Sequence, residues 1–235
     1  MRKKLIIALS LLCITGSIAS AETSLQELPM YGGVPETEQQ KETDRKFIDQ
    51  ATALVGSREL ASEQALRKGW QLYHSGDQKT AIKRFNQAWL FTPNNPEVFH
   101  AFGVYLASQG EGEQAIVMYQ KALELNPKHA MAMCNLARSY KDRALKAAAT
   151  EAPNKQQQMQ ADLNRALKLC EEASHLTDNP YNLGYIYYQW AVFLAMTGNF
   201  AGVWENIHLS QQHDGQFIQK DFIEQLSRDM PEPKN

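Results

Sequence analysis

The chain has 235 residues, which admits one ordinary domain or an elongated array of small units. With 43% hydrophobic and 21% charged residues and a formal net charge of −2, a packed core is within reach. The basic excess that phosphate-driven binding needs is missing, so nucleic acid is not an expected partner.

The first residues read as a secretory signal peptide over 1–21. MRKK is the positive start, LIIALSLLCITGSI the apolar run, and ASA the small-residue cleavage site ending at Ala21. The apolar run is short for a membrane anchor, and no other segment has the length of a transmembrane helix. Cys13 is a poor lipidation site because Leu11 and Leu12 precede it. The expected location is therefore periplasmic or secreted, with no membrane span after cleavage. Cleavage also removes Arg2, Lys3 and Lys4 and leaves a mildly acidic chain. Its two cysteines, Cys134 and Cys170, would sit in an oxidising compartment, and their spacing does not decide whether they pair.

Residues 22–45 are polar and aperiodic, with two prolines and a Gly-Gly pair, and predict a flexible leader. The competing reading docks LPMYGG on the body or on a partner through Leu28, Met30 and Tyr31. The segment RKFIDQATALVG that follows is placed as a cap on the body, which spans 46–228, with 229–235 as a tail.

From residue 62 the text repeats. At an offset of 34 residues Gly69 matches Gly103, Gly76 matches Gly110, Ala81 matches Ala115, and Phe85 matches Tyr119. Ala88 with Ala122 and Pro93 with Pro127 complete the set. Small residues let two helices approach and the aromatic fills the space between them. The glycines supply the left-handed residue that ends a first helix. The prolines stop the second. Each unit is a helical hairpin that cannot bury its apolar face alone, so units must stack.

These residues resemble the tetratricopeptide repeat, most closely over about residues 62–129. A degenerate third copy carries Leu136, Ala137 and Tyr140, then Ala166, Cys170 and Ala173. Ala166 lies 51 residues beyond Ala115, so about 17 residues are inserted, read as two lengthened helices joined near EAPNKQ. A fourth unit carries Trp190, Ala191 and Leu194, then Gly198, Phe200, Val203 and Ile207. Phe217, Ile218, Phe222, Ile223 and Leu226 recur at helical spacing and predict a closing helix. The expected fold is all-α: a solenoid of about four helical hairpins, the third enlarged, with capping helices at both ends. The chain also resembles signal-peptide-bearing tetratricopeptide proteins of Gram-negative bacteria.

The resemblance implies a concave groove lined by the first helices and used to bind proteins or peptides in the same compartment. By helical spacing the groove residues are Glu63, Leu66, Trp70 and Tyr73 in the first unit and Glu97, His100 and Val104 in the second. The third contributes Met131, Cys134, Arg138 and Lys141, and the fourth Tyr185, Tyr188 and Val192. Trp70, Tyr73, His100, Arg138, Tyr185 and Tyr188 form the expected recognition set, since aromatics and Arg dominate binding hot spots. The opposing reading packs Trp70 and Tyr188 beneath neighbouring helices. Leu66 and Trp70 stand where the carboxylate-clamp subtype has Lys and Asn, which disfavours an acidic C-terminal tail as ligand. A small-molecule, glycan or peptidoglycan-fragment binder using Trp70, Tyr185 and Tyr188 is the alternative reading.

The stretch HAMAMC, residues 129–134, has copper-type ligands. On a helix, though, His129 and Met133 share a face that Met131 leaves, and Met133 falls at a core position, so it reads as packing. No metal and no cofactor are expected. Cys170 takes the slot of Phe85 and Tyr119 and reads as a buried thiol, while Cys134 is placed toward the groove, so a disulfide between them is not expected. Phosphate loops, His-Glu metal pairs and nucleophile elbows are missing from the text, and an enzyme is not expected.

Overall fold

A computed structural model describes residues 24–232, so the expected signal peptide lies outside the described residues. Among the described residues ten α-helices and no strands occur. They are α1 (Glu38–Val55), α2 (Arg58–His74), α3 (Gln78–Phe91), α4 (Pro96–Ser108), α5 (Gly112–Leu125), α6 (Ala130–Ala148), α7 (Lys155–Ser174), α8 (Pro180–Thr197), α9 (Phe200–Asp214) and α10 (Lys220–Asp229). Four hairpins result: α2 with α3, α4 with α5, α6 with α7, and α8 with α9. Among the described residues no helix is long and apolar enough to cross a membrane.

Local chemistry sets the helix ends. The first N–H groups of a helix lack partners within it, and a side-chain oxygen just outside can accept from them. Ser57 accepts from Leu60 N–H at 3.1 Å, Asp77 from Thr80 at 3.0 Å, Asn95 from Glu97 at 2.9 Å and Asn179 from Asn182 at 3.2 Å. Three first helices stop alike: Gly76, Gly110 and Gly198 take φ of 90°, 83° and 75°. The next residues, Asp77, Glu111 and Asn199, then donate their N–H to the carbonyls of Leu72, Leu106 and Leu194 at 2.9, 3.0 and 3.0 Å.

One steric device closes each hairpin. A Cβ on Gly69 would lie 2.4 Å from Phe85 Cε1, and one on Gly103 would lie 2.4 Å from Tyr119 Cε1. Both rings are therefore seated against bare backbone. The corresponding slots in the third and fourth hairpins hold Ala137 with Cys170 and Ala191 with Ile207, all four buried. Where the small residue gains a methyl group, the facing side chain shrinks from a ring to a thiol or an aliphatic. The exchange of Gly with a ring for Ala with Ile keeps the summed volume near constant, as close packing demands, whereas the Ala137–Cys170 pair is smaller.

The third hairpin is long, with helices of 19 and 20 residues against 13 and 14 in the second. Near the base of its extension the Asp162 carboxylate, 1% exposed, accepts from Arg143 Nε at 2.8 Å and Nη2 at 2.7 Å. Arg143 also lies over the Tyr140 ring, 5.0 Å from its centroid. The ends are capped as the sequence predicts. Phe47 of α1 stacks on Phe91 at 5.4 Å, and Leu226 of α10 is buried among Tyr188, Ala191, Leu194, Val203, Trp204 and Ile207.

The flexible leader expected over 22–45 needs revision. Residues 25–33 form two short 3₁₀ turns packed on α3, and α1 already begins at Glu38. Asn86 of α3 holds the turns: its Oδ1 accepts from Met30 N–H at 2.9 Å, and its Nδ2 donates to the carbonyls of Gln26 and Leu28 at 3.1 and 2.9 Å. Tyr105 donates to the Glu27 carbonyl at 3.1 Å, and the Tyr31 ring meets the Trp89 ring edge-on at 6.4 Å. The competing reading, in which LPMYGG docks on the body, describes this part of the structure.

Candidate functional site: the inner face of the first helices

The first helices α2, α4, α6 and α8 lie side by side, each touching the next. A continuous chain of aromatic and polar contacts runs across them. Trp70 of α2 meets Tyr73 edge-on at 5.8 Å, stacks on His74 at 5.9 Å and reaches the His100 ring of α4 at 5.8 Å. The Asn135 amide of α6 lies 2.9 Å from His100 Nε2. Tyr185 of α8 donates its hydroxyl to Asn135 Oδ1 at 3.5 Å and accepts from Arg138 Nη1 at 3.3 Å. Its ring then meets Phe217 edge-on at 5.1 Å. Burial, followed by the nearby Cys134 thiol, pushes the Tyr185 phenol up to about 12, so it stays a neutral donor at ordinary pH.

Trp70, Tyr73, His100, Arg138 and Tyr185 are thus brought together, but they differ in access. Arg138 is exposed and Trp70, Tyr73 and Tyr185 are half-buried. Arg138, Glu63 and Glu97 are exposed, while Trp70 and Val104, which share the Arg138 slot at the repeat offset, are half-buried and pack against the core.

A different slot is closed. Leu66, His100, Cys134 and Tyr188 occupy equivalent places in successive first helices, and each is buried, at 8%, 8%, 0% and 7% exposure. All four lie three residues before the small residue of their helix, at 69, 103, 137 and 191. Positions three apart share a helix face, so this slot belongs to the core stripe and not to the groove. Tyr188 meets Phe222 of α10 edge-on at 5.9 Å, which covers it with the closing helix rather than with a partner. Cys134 faces inward beside Cys170, and both are free, buried thiols. Burial pushes the Cys170 thiol well above its ordinary range. Met133 of HAMAMC is buried in the core, as the packing reading has it.

Sequence reasoning missed Asn135, which joins three first helices, and the partnership of Glu97 with His129. The His129 imidazole 3.2 Å away holds the Glu97 carboxyl below the usual carboxylate range. The signal for the second lay in the repeat: His129 stands 34 residues after Asn95, at the helix-starting slot that Asn fills in the unit before.

Comparison with known proteins agrees with this architecture. The family model described as tetratricopeptide repeat matches residues 118–168, from α5 through most of α7. A thermophilic tetratricopeptide protein of Thermus thermophilus superposes with a TM-score of 0.57 at 18% identity, covering 66% of this chain and 75% of its own. The human IFIT1 dimer with m7Gppp-AAAA gives 0.54 at 16% identity, over 68% of this chain and 34% of that one. Identities this low speak to the fold alone. A curated relative, the protein adenylyltransferase Fic of Nematostella vectensis, is 33% identical over 75 residues. That stretch is 32% of this chain, and the match spans only 17% of the relative's length. Repeat spacing, hairpin stacking, the family model matched over residues 118–168 and the superposed structure together give the described residues a tetratricopeptide-type fold of stacked helical hairpins.

Proposed function

We propose that this chain is a non-catalytic adaptor that binds a protein or peptide along the inner face of its first helices. The observation that carries the reading is the continuous Trp70–His100–Asn135–Tyr185–Arg138 chain of contacts, which crosses all four hairpins and ends in exposed Arg138. Half-buried aromatics fixed by neighbours lose little rotamer freedom on binding, and Arg adds a directed charge. Export to the periplasm or outside the cell belongs to the same proposal and rests on the signal-like residues 1–21. The glycan reading is weaker than the sequence suggests, because Tyr188 is buried under α10 and cannot stack on a sugar.

The test compares capture of clients from periplasmic extract by the wild type, by Trp70→Ala with Arg138→Ala, and by Val117→Ala on the exposed outer side of α5. Loss of one hot-spot side chain weakens binding by roughly 30-fold or more, so clients should vanish from the double variant and persist with the control. Equal recovery by all three refutes the assignment.

A further inference from the structure

Apart from the peptide-binding reading, three side chains converge where the start of α4 meets the start of α6. The donor atoms of Glu97, His100 and His129 all lie within 4.8 Å of one another. His129 Nε2 is 3.2 Å from Glu97 Oε1, and His100 Nδ1 is 3.9 Å from Glu97 Oε2. The two imidazole centroids are 4.8 Å apart. Both histidines are only 8% exposed, and His100 Nδ1 and His129 Nε2 are buried without an aligned hydrogen-bond partner. Buried polar atoms left unpaired are destabilising and uncommon, so two aimed at one point call for a ligand.

Asn135 Nδ2 lies 2.9 Å from His100 Nε2 while Asn135 Oδ1 accepts from Tyr185, so in the metal-free chain Nε2 accepts and Nδ1 carries the ring proton toward Glu97. Coordination through Nδ1 displaces that proton, and a turn of the Asn135 amide lets its oxygen accept it on Nε2, the outer-sphere arrangement that orients metal-bound histidines. At the start of α6, His129 replaces the asparagine that starts α4 and α8, and its Nδ1 accepts only a 3.3 Å bond from Ala132 N–H.

We propose that Glu97, His100 and His129 form a binding site for a divalent transition-metal ion, with zinc the best match. Two imidazoles and one carboxylate are a zinc-type donor set that leaves a fourth position open. Donors about 2.0–2.1 Å from a tetrahedral ion stand roughly 3.4 Å apart, so the Glu97–His129 edge already has that spacing. The other edges close by about 1.4 Å at most, through the exposed Glu97 side chain and ring rotation. The fourth position opens into a cleft of about 330 Å³ lined by Met131, Thr177 and Asn182 among others. Coordination through His129 Nε2 moves its proton to Nδ1 and gives up the Ala132 bond.

The test titrates zinc into the metal-free chain by calorimetry, with cobalt as a spectroscopic stand-in. Variants are Glu97→Gln, at an exposed position, and His129→Asn, which installs the starter residue of α4 and α8. Both should keep the wild-type circular dichroism and melting point without metal. The expected result is one zinc per wild-type chain, a melting point that climbs with zinc, and visible cobalt bands of a four-coordinate site. Binding should fall at least tenfold in each variant. Absence of zinc binding by the wild type overturns the proposal. So does binding that survives both variants or is abolished instead by substituting the exposed His175 or His213.

Discussion

Replacing Gly103 by Ala should destabilise the chain, although the same change is ordinarily favourable inside a helix. The new Cβ would stand 2.4 Å from Tyr119 Cε1 and 2.6 Å from Cδ1, whereas carbon contacts are comfortable at about 3.5–4.0 Å. Tyr119 is 2% exposed, so its ring cannot swing into solvent. Helix propensity returns about 1 kcal/mol for Gly to Ala. Overpacking a rigid core costs about 1–3 kcal/mol, and an overlap of this depth belongs at the upper end. The net loss is then about 2 kcal/mol, which at this chain length lowers the melting point by roughly 4–8 °C. Thermal and urea unfolding followed by circular dichroism reads it directly. Gly112→Ala is the control, since a Cβ there meets nothing within 4 Å. The fourth hairpin supplies the rescue: Tyr119→Ile added to Gly103→Ala recreates the Ala191–Ile207 pair and should leave the double variant more stable than the two losses added together. A melting point that holds or rises in Gly103→Ala, or strictly additive losses in the double variant, would refute the reasoning.

Asp162→Ala should weaken the chain by about 2–3 kcal/mol, below the usual range for breaking a buried ion pair because Glu113, 3.2 Å away, still serves Arg143. Urea unfolding checks this, and Asp162→Leu with Arg143→Met should recover most of the loss. His100→Leu, borrowing the residue that Leu66 provides in the preceding unit, should flatten the acid side of the stability profile. Burial lowers His100 to about 3, so below its ordinary pKa of about 6.5 the unfolded chain takes up a proton that the folded chain refuses. Stability from this group is thus complete above that value and declines as pH falls toward 3. The decline approaches about 1.4 kcal/mol per pH unit. Melting points measured between pH 7 and 4 should show a shallower fall for His100→Leu than for the wild type.

The hairpins were readable because their construction is local and periodic. Gly69 and Phe85 are 16 residues apart, Gly103 and Tyr119 likewise, and a volume rule links each pair. The same logic extends to Ala191 and Ile207, while across the insertion Ala137 and Cys170 keep the buried slots but not the summed volume. The groove was half readable. Trp70, Tyr73, Arg138 and Tyr185 keep surface accessible, but Leu66, His100, Cys134 and Tyr188 are on the core stripe, as their three-residue spacing from the small positions already implied. Asn86 was out of reach, because it gathers backbone groups 56 to 60 residues away and nothing near it in the chain announces a clamp. Glu97 and His129 lay in between: a mismatched helix starter marked His129, but only the stacking of α4 beside α6 reveals what it faces.

The long third hairpin has a consequence for frame selection. A strictly periodic groove offers an extended ligand several equivalent settings, each shifted by one unit, and binding is then spread across them. Helices α6 and α7 each exceed their second-hairpin counterparts by six residues, a rise of about 9 Å. The resulting spur, welded at its base by Arg143 and Asp162, occurs once among the described residues. It gives the array an origin of coordinates, so that a ligand touching it can lie in one frame only.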